Sequence, residues 1–596
     1  VDVIIGDYLS EGNMGVAAFR RVESTGSKTR ELSNPLLSEG PAFEASFLEA
    51  LEPAIHDIAR YGIKVVVNAG ASDAEALYQE VLTLVKSQEL RVPVAWVSGD
   101  EVMPAVDNSL KNGTKFHNIY TGQELSAWPF EPIYAQAYLG GMGIAQALSS
   151  GAQIVICGRV ADASPVIGAA VWYHQWQRSQ LHQLANALIA GHLIECSSYI
   201  CGGNFAGFRE LRHHGLDDVG FPIAEISSDG SVIITKQQGS GGLVTSHTCS
   251  AQLLYEIQGP WYYNSDVTAV LDQIWFEDMG MNRVALRGVQ ALPPPPTTKV
   301  GVTAKGGYQA EACYFLTGLD IRAKAELLEA QLRKSMAPYS SNFTALAFST
   351  LGMPDPNADS QNAATCVFRI FAQAKRYEDL EPKRFLRPIM DNIMQGYPGA
   401  TFHLDYRQGI PKPFFEYFVT LVPQTAIHQS VHFSDGSVVA VDPAPVTQVF
   451  PLRQPSQPET EATDALDFGP TQRAPLGSVA YARSGDKGSD CNCGFWVRRD
   501  DEYQWLRRLL SVTKIQELLG RDWKPDHVPA MAIDRFELPS MRAVHFLIRN
   551  HLDRGVQSTG EVDFLGKNCA EYLRSRVVDV PIRFLERGII GSVNEV

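Results

Sequence analysis

The sequence predicts an α/β chain in three parts. These are a doubly wound, mostly parallel sheet over 1–215, an α+β middle region over 216–450, and a small α+β domain over 476–596. Three observations predict it. Short apolar runs alternate with amphipathic stretches through the first part, as strand–helix–strand units do. The middle part loses that rhythm and shows several strand-length runs. Between them and the last part, residues 451–475 hold Pro451, Pro455, Pro458, Pro470 and Pro475, several acidic residues and few large apolar ones, the composition of an exposed linker.

The elements follow in order. Residues 1–6 form an apolar run ending in Gly6-Asp7, which reads as a buried strand. Phe43, Phe47, Leu48, Leu51, Ile55 and Ile58 mark one face of a helix over 42–61. Residues 63–67 are a β-branched strand ending in Asn68-Ala69-Gly70, and Ser72-Asp73 offers an N-cap to a helix over 74–87. A third strand over 92–97 ends in Ser98-Gly99-Asp100. A helix over 135–149 and a strand over 153–157 come next. Gly158-Arg159-Val160-Ala161-Asp162 closes that strand, and Ser164-Pro165 opens another helix. In the middle region 231–235, 299–304, 310–316, 365–372 and 414–422 read as strands, with helices over 243–256 and 321–333 and a stiff Pro293-to-Pro296 run. In the last part, short strands over 479–482 and 494–497 flank a charged turn, with a helix over 506–519 and a strand over 542–548.

Composition narrows the function classes. Charged residues sum to 51 Lys and Arg against 66 Asp and Glu, a net charge of −15, with no basic stretch. That is a poor match to a nucleic-acid binder, whose affinity needs clustered cations. No apolar run reaches the length of a membrane span. Nine cysteines, without a CxxC pair, read as reduced thiols of an intracellular protein. A cytoplasmic location is expected; because the chain begins at Val1 rather than Met, organellar targeting stays open.

Parallel sheets bind ligands beyond the carboxyl ends of their strands. Asp7, Asn68, Gly70, Asp100, Arg159 and Asp162 all stand at such ends. Each aspartate has a plain alternative as a helix cap; their number in one sheet favours a shared pocket. The Gly239-Ser240-Gly241-Gly242 loop, between a strand and a helix, is an anion-site candidate, with an ordinary glycine-rich connection as the alternative. Gly203 and Asn204 follow Cys196 and Cys201, thiols that read as buried small residues or as a nucleophile pair. The Arg483-to-Gly494 turn packs Asp486, Lys487, Asp490 and Asn492 with Cys491 and Cys493. Lys487 suits anion binding or base chemistry, and its aspartates suit proton transfer. His428 and His432 lie near a hairpin signal at Asp435-Gly436, which argues against a helical metal pair. No metal site and no cofactor is expected.

The runs Gly6-Asp7-Tyr8-Leu9-Ser10-Glu11, Asn68-Ala69-Gly70, Gly158-to-Pro165, Gly202-Gly203-Asn204 and the 239–242 loop resemble the AtuA family of acyclic terpene utilisation proteins over roughly 1–450. The 483–492 turn resembles the small ferredoxin-like domain that accompanies that family, here fused. The resemblance implies catabolism of branched acids as acyl-CoA thioesters, and a ferredoxin-like fold without an iron–sulfur cluster.

The expectation is therefore a catabolic enzyme acting on a small branched or acyl-CoA-linked carboxylic substrate by acid–base chemistry of lyase or hydratase type. Asp7, Asp100, Asp162, Asp486, Lys487 and Asp490 are the catalytic candidates. Asn68, Gly70, Arg159, Gly203, Asn204, Gly239, Ser240, Gly241, Gly242 and Asn492 are the binding candidates. The alternatives are a hydrolase of a thioester, ester or amide, and a non-catalytic ligand-binding or scaffold subunit. The partner is a small anionic or acyl-CoA substrate, with no nucleic acid and no membrane, in a homo-oligomer.

Overall fold

The computed structural model describes residues 1–25, 40–459, 466–526 and 528–591. Four strands, Val3–Gly6, Lys64–Ala71, Ile154–Gly158 and Val94–Ser98, lie side by side in parallel. Gln429–Phe433 and Val438–Val441 extend that sheet antiparallel, so it is mixed. The first strand is an edge and only half-buried, not the buried strand its apolar run suggested. Helices Ser46–Tyr61 and Ala74–Ser87 cover one face through Phe47, Leu51, Ile55, Leu77 and Val81. The cap on the second comes from Asp73, which accepts the Ala76 N–H at 3.2 Å. The opposite face packs on helix Met142–Ser149 and on a second, antiparallel sheet.

That second sheet is built around one 21-residue strand, Thr297–Thr317. It replaces the two strands expected over 299–304 and 310–316. Between those two runs the chain passes Gly306-Gly307 as a bulge between Lys305 and Gly307. Gly307 sits at φ +138°, and a Cβ there would lie 2.3 Å from the Ala374 carbonyl. The same strand captures Pro132–Ala137 as an antiparallel neighbour. The expected helix over 135–149 therefore starts only at Met142: tertiary pairing overrides the helix preference of an alanine-rich stretch. Helix Glu11–Thr25, unforeseen in the sequence, packs on Lys412–Pro423 of this sheet.

The almost wholly buried helix Leu181–Ile194 sits at the centre of the largest core, against two smaller antiparallel sheets. The C-terminal part is a four-stranded antiparallel sheet in the order Tyr481–Lys487, Asp490–Trp496, Ala543–Arg549, Ala532–Leu538. The expected charged turn at 483–494 is instead a long hairpin with a tight tip at Gly488 (φ +63°) and Ser489. The helix expected over 506–519 is two, Asp500–Leu509 and Val512–Leu519. Ser511 N-caps the second by accepting the Lys514 N–H. Part of the presumed linker belongs to this sheet region, since Thr471–Pro475 pairs with Val577–Pro581. Its residues 460–465 lie outside the described residues, and Gln454 is buried against Trp261. Among the described residues no helix is long and apolar enough to cross a membrane.

Candidate active site

Asn68 ties two strand ends together. Its Oδ1 accepts the Tyr8 N–H at 2.7 Å and its Nδ2 donates to Asp7 Oδ1 at 2.5 Å. Burial pushes the Asp7 carboxyl well up, and the acidic side chains of Asp162 and Glu195 nearby push it further, so Asp7 is held as an acid. Arg159 is buried with its guanidinium 4.0 Å above the Tyr138 ring and 2.9 Å from Asp162. That pairing is a charge contact rather than an aligned hydrogen bond. Arg159 Nε finds no partner among the described residues, and Nη1 has only this ion pair.

The other face of this group comes from residues that motif reading did not select. Lys299, on the long strand, places Nζ 3.8 Å from the centre of the Tyr138 ring and 3.9 Å from Glu11. The Tyr138 hydroxyl donates to Glu11 Oε1 at 3.1 Å and meets the Tyr417 hydroxyl at 3.2 Å. Burial opposes ionisation of Glu11, but Lys299, Arg159 and Lys487 outweigh it and hold its carboxyl at about 2. Burial lowers Lys299 to about 8; Glu11 opposes that shift, and the cations Lys487 and Arg159 add to it.

The small domain completes the group. Lys487 Nζ donates to Glu256 at 2.7 Å. Burial disfavours the Lys487 ammonium, yet Glu256, Tyr262 and Glu11 hold it charged, well above the ordinary lysine range. Asp486 is pushed up to about 8 by burial, then by Glu256 and Glu11. The hairpin is clamped in place by Asn492. Its Nδ2 donates to the Leu254 carbonyl at 2.5 Å and its Oδ1 accepts the Glu256 N–H at 2.9 Å. Glu256 itself sits at φ +60°, a conformation the clamp stabilises. Arg483 lies between Tyr199 and Tyr255 at 4.6 and 4.3 Å and donates to the Asn204 carbonyl at 2.9 Å.

These charged groups are enclosed by protein, yet the side chains of Glu11, Lys299, Lys487, Glu256 and Asp162 keep 21, 26, 17, 20 and 24% of their surface open. Each is paired with an opposite charge and still keeps part of its surface open. An adjoining cavity of about 470 Å³ lies between the body and the small domain. Glu11, Tyr417 and Asp486 line one side of it, and Trp128, Phe130 and Val556 another.

Several predicted site residues have other work. Asp100 accepts the Arg159 N–H and the Gln136 side chain, each at 2.9 Å, and braces the strand ends from below. Gly70 permits close packing: a Cβ would lie 2.5 Å from the Cys157 carbonyl. Asp490 accepts the Asn550 N–H at 2.9 Å and fixes the hairpin tip, and burial raises its carboxyl to about 7. Asn492 is a docking clamp. Gly203 donates to the Ser198 carbonyl, and Asn204 contributes its carbonyl to Arg483.

The glycine loop is not an open anion cradle. Gly241 and Gly242 donate to the Asp218 and His214 carbonyls, Gly239 adopts φ +81° as a turn residue, and Ser240 is engaged by Lys236 and Gln237. The helix after it starts at Ser246, not 243, and Asp278 already occupies its first N–H at 2.9 Å. Cys201 is buried. Burial, with Glu195, Glu256 and Asp7, pushes the Cys196 thiol well up, away from thiolate reactivity. Among the described residues no group of three or more His, Cys, Asp or Glu side chains is arranged to hold a metal ion.

Fold and site together define a class: a mixed α/β body with several sheets, whose enclosed acid–lysine cluster is completed by a small C-terminal domain. The chain belongs to the acyclic terpene utilisation family protein AtuA, which matches residues 1–433, and its residues 474–579 match the AtuA ferredoxin-like domain. The family's role is catabolic. No curated protein and no solved structure gives a match.

Proposed function

We propose that this protein is a catabolic enzyme that adds to, or eliminates from, a small branched carboxylic or acyl-CoA-linked substrate by acid–base chemistry. One observation carries the reading. A lysine held at about 8 (Lys299) shares one enclosed site with carboxyls kept protonated (Asp7, and Asp486 at about 8) and with cations kept charged (Arg159, Lys487). Acid and base pushed toward the working pH, beside fixed positive charge, is the arrangement general acid–base catalysis needs.

In this reading Arg159, through its unpartnered Nε, and Lys487 hold the substrate carboxylate or thioester oxygen. Lys299 takes the proton from carbon. Asp486 or Asp7 gives one to the departing or accepting oxygen. The cavity wall at Trp128 and Phe130 receives the apolar chain of the substrate. The test is a panel of branched saturated, unsaturated and hydroxylated acyl-CoA thioesters, followed by the absorbance of the conjugated thioester and by free thiol. Change in the first without the second is expected. Thiol release alone makes the protein a hydrolase, and no change in either overturns the enzymatic reading. In the active case, Lys487→Ala is expected to lower kcat/KM by at least a hundredfold.

A further inference from the structure

Glu195 follows helix Leu181–Ile194 and stands beside the same charged group. It lies in the electrostatic reach of Asp162, Glu256, Lys487 and Arg159, and it disfavours ionisation of Asp7 and Cys196 in turn. Its side chain is only 4% exposed. One oxygen, Oε1, meets His192 Nδ1 at 3.1 Å; the other, Oε2, is buried and has no hydrogen-bond partner among the described residues. A buried unpaired oxygen is costly unless something arrives to pair it.

The chemistry of the pair follows from what stands behind His192. Its Nε2 meets the Leu253 carbonyl at 3.3 Å, and a carbonyl only accepts, so the ring proton sits on Nε2. In the neutral ring Nδ1 is then a bare acceptor, and its contact with Glu195 Oε1 places a proton on the glutamic acid. The His192 ring is buried, packed 4.9 Å from Tyr262, and its backbone carbonyl accepts from Gln252. Burial and Lys487 both keep the ring neutral, and burial with Asp162 and Glu256 keeps Glu195 protonated. The geometry thus leaves one free group, a neutral carboxylic acid whose Oε2 accepts a hydrogen bond. A carboxylate in its place would repel an anionic substrate held by Arg159 and Lys487.

We infer that Glu195 receives, on Oε2, the water or hydroxyl oxygen that the reaction adds or removes, and that His192 is the positioning residue that fixes it for that role by engaging Oε1. This rests on the acid–base reading above and adds to it the residue that places the oxygen. No bond is made or broken at Glu195 in this step. It accepts one hydrogen bond from the O–H.

The test uses the full-length protein and pairs two readouts. Infrared difference spectra of wild type against Glu195→Gln, at pH 7, are expected to contain a protonated-carboxyl band from Glu195. Glu195→Gln keeps both a donor toward His192 and a neutral carbonyl in place of Oε2, so it is expected to recover at least tenfold of the kcat that Glu195→Ala loses. Glu195→Ala is expected to lose about a hundredfold in kcat with KM for the unhydroxylated thioester changed less than threefold. His192→Phe removes the acceptor of the Glu195 proton, so the Glu195 carboxyl band is expected to move to higher wavenumber, with kcat lowered and KM changed less than threefold. The infrared experiment needs no turnover. Absence of the band, or an unimpaired Glu195→Ala, overturns this inference; a wild type inert on every thioester overturns the parent reading instead.

Discussion

Lys299 and Asp486 are displaced from their ordinary ranges in opposite directions and meet at about 8. Burial is the first cause of both. The surrounding charges then divide, with Lys487 and Arg159 pressing Lys299 down, and Glu256 and Glu11 pressing Asp486 up. If Lys299 is the base, only its neutral amine works, so kcat falls about tenfold per pH unit below about pH 8. If Asp486 is the acid, kcat falls again above about pH 8. Lys299→Met is expected to remove nearly all turnover. Asp486→Asn is expected to lower kcat and to flatten the alkaline limb while leaving the acid limb in place. A rate that rises toward low pH would mean that Lys299 acts only as a cation.

Among elements, the Tyr481–Lys487 and Asp490–Trp496 hairpin is the one on which the site depends. Gly485 faces Tyr255 so closely that a Cβ would lie 2.2 Å from its Cε2. Gly485→Ala is therefore expected to cost about 1–3 kcal/mol and to push the hairpin, with Lys487, off Glu256. Calorimetry and turnover should report the loss together, and Tyr255→Ala in the same chain should restore part of the stability. How much of this was legible in sequence divides by distance along the chain. Strand ends at Asp7, Asn68 and Arg159, the Asp73 cap and Lys487 could be read because each belongs to a local pattern. Glu11, Glu195, Glu256 and Lys299 could not, because long-range packing brings them together and nothing in their neighbours announces it. The 239–242 loop misled for the converse reason. Strand, glycines and helix are the right local pattern, but its N–H groups are already committed to 214 and 218. The long strand reads as two, over 299–304 and 310–316, because between them the chain bulges without ending the strand.

At the scale of the whole molecule, two buried histidines tie stability to pH. His545, wholly buried in the small domain's sheet, is held at about 3 by burial, and His192, in the body, at about 4 by burial and Lys487. Both lie below the unfolded value of 6.5, so the unfolded chain binds more protons as pH falls under 6.5. Their contribution is complete above that pH. It is lost toward the folded values at up to about 1.4 kcal/mol per pH unit per group. Asp7 and Glu195, raised by burial, contribute with the opposite sign. A comparison therefore isolates the histidine: the Tm difference between wild type and His545→Asn is expected to narrow or reverse between pH 6.5 and 4.5. A constant difference would mean His545 ionises in the fold as it does outside it.

The hairpin that carries Lys487 arrives on the same chain as the Glu256 it meets. Assembly of the site is then a first-order event, complete at any dilution, because tethering holds the two parts at an effective concentration in the millimolar range. Cut between the body and the small domain, the same surfaces would have to find each other by collision. Specific activity would then depend on enzyme concentration, falling on dilution and recovering when the small domain is added in excess.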